Sequence, residues 1–193
     1  MTDQDQAPDS DSDTDDDDTK TGKTVLANFP KYFQRCGKNN NWGWIATAVM
    51  IGNFFGTGPL ESRQNKSWTQ SFLANRICNG QNVSGNPDTA LNNVFADNPA
   101  ITNDPAAQTY GMARAMIKQG LPVVIAWLDP RTSKALPGFV VAVYGYAGAR
   151  WYFGDPSRVA VSENSALPSP AKGVKANLRF FYSRKPPMGT PPT

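Results

Sequence analysis

The sequence predicts an α+β domain, with helical segments in its first half packed on antiparallel strands from its second half. Three observations predict it. Between Trp44 and Gln119 apolar residues recur every three or four positions in four separate segments. From Val123 onward they instead cluster densely or alternate, and are rich in β-branched and aromatic types. A length of 193 residues, 39% of them hydrophobic, suits one domain with a sizeable core.

The longest helical signal follows the polar turn Asn39-Asn40-Asn41. Trp44, Ile45, Ala48, Ile51, Gly52 and Phe55 fall at helical spacing and predict one buried face. Asn41 is the expected N-cap, because its side-chain oxygen can accept from an orphan N–H one turn on. Gly56 suits the left-handed residue that closes a helix. The first turn would offer free N–H donors and a positive dipole end, a place where a thiol's pKa can be lowered. It holds Gly43, which has no side chain.

Before this helix, Val25 to Phe33 is a mixed apolar segment broken by Pro30. After it, Thr69 to Ile77 predicts a short helix with Phe72, Leu73 and Ile77 on one side. Cys78 to Pro87 is an Asn/Gly-rich loop. Pro87 to Phe95 predicts a helix with proline in its first turn. Pro105 to Gln119 predicts another, with Tyr110, Ala113, Met116 and Ile117 on one face and Gly120 closing it. Expected strands are Val123 to Trp127, Phe139 to Tyr146, Trp151 to Phe153 and Val174 to Tyr182.

Charge is unevenly placed. Residues 1–24 hold nine Asp against Lys20 and Lys23, whereas the chain from Val25 has seventeen basic and seven acidic residues. The net charge of +3 thus conceals a basic body with an acidic arm. The arm has almost nothing to bury and is expected to be a disordered tail. The core domain is expected over 25–184, with a Pro-rich tail from 185 to 193. Two cysteines, Cys36 and Cys78, cannot specify a disulfide framework, and pairing and free thiols both stand open. Neither a Sec-type leader nor an apolar run of membrane-spanning length is visible, so cytoplasmic residence and leaderless export are both compatible. No metal or other cofactor is expected.

Gln34, the Asn-rich loop and Trp42-Gly43-Trp44-Ile45-Ala46 together resemble the start of papain-like cysteine proteases, in particular their bacterial C39-like branch. There a Gln and a short loop precede Cys-Trp-Ala-Ala at the head of a long helix. Gln119-Gly120-Leu121-Pro122-Val123-Val124 resembles that family's Gly-Arg-Pro-Val strand. The run from Leu136 to Tyr146 resembles its Gly-His-apolar-Gly-Tyr strand, and Trp151 to Pro156 its aromatic-Asn-Asp-Pro segment. The resemblance covers roughly Phe29 to Phe181.

It implies a papain-like fold and also implies what is missing. The family's nucleophilic Cys falls on Gly43 and its His on Gly138. The orienting carboxylate position falls on Asp155 and the oxyanion donor on Gln34. The chain contains no histidine at all. Nucleophile and base act as a unit, so the resemblance implies a pseudoprotease that binds a peptide or protein segment in the former groove. Gln34, Trp42, Gly43, Trp44, Gly138, Phe139 and Asp155 would line it. Trp42 is either cleft wall or aromatic platform, and Asp155 is equally readable as a turn-former. Two alternatives stand beside this: a hydrolase built on unusual residues such as Cys36 or Asp155, and an interaction or immunity-type protein whose basic face takes an anionic partner. No specific nucleic-acid motif accompanies the charge.

Overall fold

The computed structural model describes residues 22–36, 40–59, 67–95, 109–158 and 160–182. The molecule is α+β, with helices in the N-terminal part and a six-stranded antiparallel sheet that is mostly C-terminal. Strand β1 (Lys23–Val25) is followed by α1 (Gly43–Phe55), α2 (Gln70–Cys78), α3 (Pro87–Val94) and α4 (Tyr110–Lys118). Then come β2 (Val123–Leu128), β3 (Ala135–Ala147), β4 (Arg150–Gly154), β5 (Ser162–Ser165) and β6 (Asn177–Tyr182). The sheet order is β5-β4-β3-β2-β6, and β1 pairs with the far end of β3.

Both faces of the sheet are covered. On one, Val124, Ala126, Val140, Ala142, Tyr144 and Phe181 pack against α1, α2 and α3 in one apolar cluster. On the other, Ile125, Val141, Val143, Phe153 and Phe180 pack against Ala113 and Ile117 of α4. Helix α1 is therefore wrapped on all sides. Every residue from Trp44 to Gly52 is buried, where the spacing had predicted a single buried face.

The helix signals chosen from sequence largely mark real ends. Gly56 closes α1 at φ 67°, Pro87 opens α3, and Gly120 follows α4. Thr69, Asn86 and Thr109, none of them singled out from the sequence, accept from Phe72, Asp88 and Met112 N–H groups as N-caps. The N-cap expected at Asn41 is not formed. A 3-10 turn at Asn40–Trp42 leads into α1, Trp42 is its N-cap residue, and no side chain caps it. Asn41 is used elsewhere: its backbone N–H donates to Asn82 Oδ1 and its Nδ2 to the Asn82 carbonyl.

Boundaries also differ. Helix α4 starts at Tyr110, capped by Thr109, and residues 105–108 of the expected helix lie outside the described residues. Strand β3 begins at Ala135, four residues early, and β6 begins at Asn177 rather than Val174. Strand β1 takes in Lys23 and Thr24, so ordered pairing begins before the expected domain start at Val25. The tails at 1–21 and 183–193 lie outside the described residues. No helix among the described residues is long and apolar enough to cross a membrane.

Candidate functional site

The carboxyl end of β4 lies beside the middle of β3, because Gly154 pairs with Ala142. The first turn of α1 rests against this corner: a Cβ added at Gly43 would sit 3.8 Å from Val140 Cβ, an ordinary contact. Gly138 lies two residues before Val140, and a Cβ added there would meet nothing within 4 Å. Asp155 follows β4 directly, and Cys36 joins the same corner by donating its backbone N–H to the Pro156 carbonyl at 3.0 Å. Gly43 thus rests on β3 at Val140, and Asp155 and the Cys36 segment meet where β4 ends, while Gly138 lies farther along β3 in the segment opposite Trp127.

Gly138, Asp155 and Gln34 each have a local explanation. Gly138 has φ 77°, a left-handed conformation that strongly favours glycine. It belongs to a bulge, since Ala126 pairs with Val140 and Leu128 with Ala135. Four residues of β3 therefore stand opposite the single Trp127 of β2. Asp155, 2% exposed, turns its carboxylate into its own loop. It accepts from Ser157 N–H at 2.9 Å, Ser157 Oγ at 2.6 Å and Arg158 Nε at 3.1 Å. The carboxylate organises the turn that follows β4. Gln34 accepts at Oε1 from Gln70 Nε2 at 3.2 Å, and the same Gln70 nitrogen also donates to the Arg35 carbonyl.

Trp42 differs from the sequence expectation, whereas Trp44 is buried, as its place on the helix predicts. Trp42 is 6% exposed and is neither an open cleft wall nor a platform. Its indole N–H donates to the Gln81 carbonyl, and that of Trp44 donates to the Val83 carbonyl at 3.0 Å. Both rings are roofed by the loop 79–86, which also reaches β3 through the bond from Ala135 N–H to the Gly85 carbonyl. Phe139 points away from α1. With Tyr110, Trp127, Leu167 and Leu178 it lines a cleft of about 50 Å³ on the α4 face of the sheet. That volume is far below the roughly 300–1,000 Å³ of small-molecule sites.

The chemistry available at the corner is limited. Cys36 and Cys78 are not joined in a disulfide. Cys36 is buried and donates its Sγ hydrogen to the Pro156 carbonyl at 3.3 Å. Burial, and after it the nearby Asp155 charge, push its pKa up against the lowering effects of its own backbone N–H and of the Arg35 charge. A thiol held in that form is a poor nucleophile. A thiol–imidazole pair is impossible in a chain without histidine.

Val140, Pro156, Gln70 and the 81–86 loop are parts of this corner that sequence reasoning missed. They are brought in by contacts 36 to 120 residues apart, and no local pattern marks them. The chain matches no protein-family model, and no curated protein is significantly similar to it.

Proposed function

We infer that this chain is a papain-like domain without peptidase activity that binds an extended peptide or protein segment at the corner between α1 and β3. The observation that carries this reading is the pair Gly43 and Gly138. At the two positions where the resemblance expects a thiol and an imidazole, an added Cβ would meet only Val140 Cβ at 3.8 Å from Gly43 and nothing within 4 Å of Gly138. A peptide can approach the start of α1 closely there, and the unpaired N–H groups of a helix's first turn suit a peptide carbonyl. Neither Cys36 nor Asp155 supplies a replacement nucleophile, since both are buried and engaged with residues 156–158. Trp42, Trp44 and Phe139 are removed from the list of expected contacts by their burial or direction. Gln34, Gly43, Val140 and Gly138 remain.

The test is a peptide-display selection on the full chain, followed by titration of the selected peptides on Gly43→Trp. Helical backbone at residue 43 tolerates a side chain, so this variant should melt like the parent. Peptide affinity should fall by about 1–3 kcal/mol through lost access. Parent protein should leave the peptides intact on prolonged incubation. Unchanged affinity in a folded Gly43→Trp, cleavage by the parent, or no peptide selected at all would each refute the reading.

A further inference from the structure

A second surface lies at the opposite end of β3, away from the α1 corner. Strand β1 pairs there with Lys23 opposite Ala147, and β4 pairs on the other side with Arg150 opposite the same Ala147. Cross-strand partners share a face. Lys23 and Arg150, both exposed, therefore flank Ala147 about 10 Å apart, two strand spacings. Lys23 Nζ lies 5.0 Å from the Tyr152 ring centre. Arg114 of α4 closes the rim from the other face. Its guanidinium stacks over Tyr146 and Trp151 and donates to the Gly148 carbonyl at 2.8 Å. Across β4, strand β5 contributes one carboxylate, Glu163.

The acidic arm enters the fold at this rim, since Lys23 is the first residue of β1. The run Asp15-Asp16-Asp17-Asp18 ends five residues before Lys23. Five residues span at most about 18 Å, enough to reach Arg150 and the β3–β4 hairpin. We propose that this aspartate run docks on the Lys23–Arg150–Arg114 rim and occupies it as a built-in competitor for polyanionic ligands. Self-repulsion among contiguous carboxylates is relieved by the cations, and the covalent tether keeps the local carboxylate concentration high.

The test uses full-length chains and inorganic tripolyphosphate as probe, titrated calorimetrically at low salt. Neutralising the run (D15N/D16N/D17N/D18N) should tighten tripolyphosphate binding roughly tenfold. Neutralising four distant aspartates (D3N/D5N/D9N/D11N) changes net charge equally and should have a much smaller effect. Adding Lys23→Gln and Arg150→Gln to the first variant should return it to the parent's weak binding. All differences should vanish at about 1 M salt, where the screening length is about 3 Å. Equal binding by parent and D15N/D16N/D17N/D18N, an equal rise in both aspartate sets, or no effect of Lys23→Gln with Arg150→Gln would overturn the proposal.

Discussion

The indole N–H of Trp42 donates to the carbonyl of Gln81 at 2.8 Å, across 39 residues of chain. It anchors the loop that roofs the start of α1, together with the Trp44 bond to Val83 and the Asn41 pair with Asn82. Trp42→Phe keeps most of the apolar ring and removes the donor. It should cost about 1 kcal/mol, because the Gln81 carbonyl loses its indole donor and keeps only the weak Cys78 thiol at 3.4 Å. A urea titration checks this, and a midpoint equal to the parent's would show that the loop is held by other means.

Gly85 in the same loop touches the Trp44 ring. A Cβ there would overlap Cζ2 and come within 2.6 Å of Cε2 and Cη2. Gly85→Ala should destabilise by about 1–3 kcal/mol through overpacking against a buried ring that cannot retreat. The expected reading is a clear drop in Tm with unchanged secondary structure by circular dichroism.

Glycines 43 and 138 should respond oppositely to alanine. At Gly138, φ 77° strains any L side chain, so Gly138→Ala should cost about 1–2 kcal/mol although its surroundings are empty. At Gly43 the backbone is helical and the nearest atom is 3.8 Å away. Gly43→Ala should be neutral or stabilise by up to about 1 kcal/mol. Paired thermal melts decide it, and equal effects at both positions would contradict the bulge geometry.

Tyr144 and Tyr182 should make the fold sensitive to base. Burial is the main cause that pushes each phenol up to about 12, against about 10 in an unfolded chain. The unfolded state therefore loses its protons first as pH rises. Stability is fully present below about pH 10 and is lost as pH climbs through about 12, by up to roughly 2.7 kcal/mol per tyrosine. Unfolding followed by tyrosinate absorbance should show it, and Tyr144→Phe should flatten the slope. At neutral pH Tyr144→Phe should cost nothing or even stabilise, since the buried Tyr144 hydroxyl has no hydrogen-bond partner among the described residues.

Asp155→Ala should lower stability by about 1–3 kcal/mol, because it frees the Ser157 N–H, the Ser157 hydroxyl and Arg158 Nε together. Arg158→Ala should cost less than about 1 kcal/mol, as the Arg158 side chain is 59% exposed. The ratio of the two, measured by chemical denaturation, separates a turn-forming carboxylate from one end of an ion pair.

The sequence made the helices legible because their signals are local. Thr69 and Asn86 precede α2 and α3 within one turn of the groups they bond, and Gly56 acts on its own φ. It also marked the strands whose apolar residues run together, such as 123–128. Strand β1 is three residues long and β5 reads Ser-Glu-Asn-Ser, so neither offers a hydrophobic period to detect. The direction of Phe139 was illegible for another reason. Period-two alternation assumes an unbroken strand, and the bulge at 136–139 resets which side each residue faces. The burial of Trp42 depends on a loop far along the chain, which no window of neighbouring residues contains.

That bulge bears on any attempt to engineer hydrolysis into this scaffold. Exchanging Gly43 for cysteine and Gly138 for histidine alters two side chains and leaves the backbone count between Ala135 and Val140 untouched. The imidazole would be carried by a residue at φ 77°, projecting into a space where α1 is not within 4 Å. Catalytic groups misplaced by about 1 Å already lose most of their effect. A productive redesign must first shorten β3 by deletion, so that the strand flattens against β2 before any new side chain is chosen. On the proposed reading, the length of a segment stands in the way of thiol–imidazole chemistry as much as the identity of two residues.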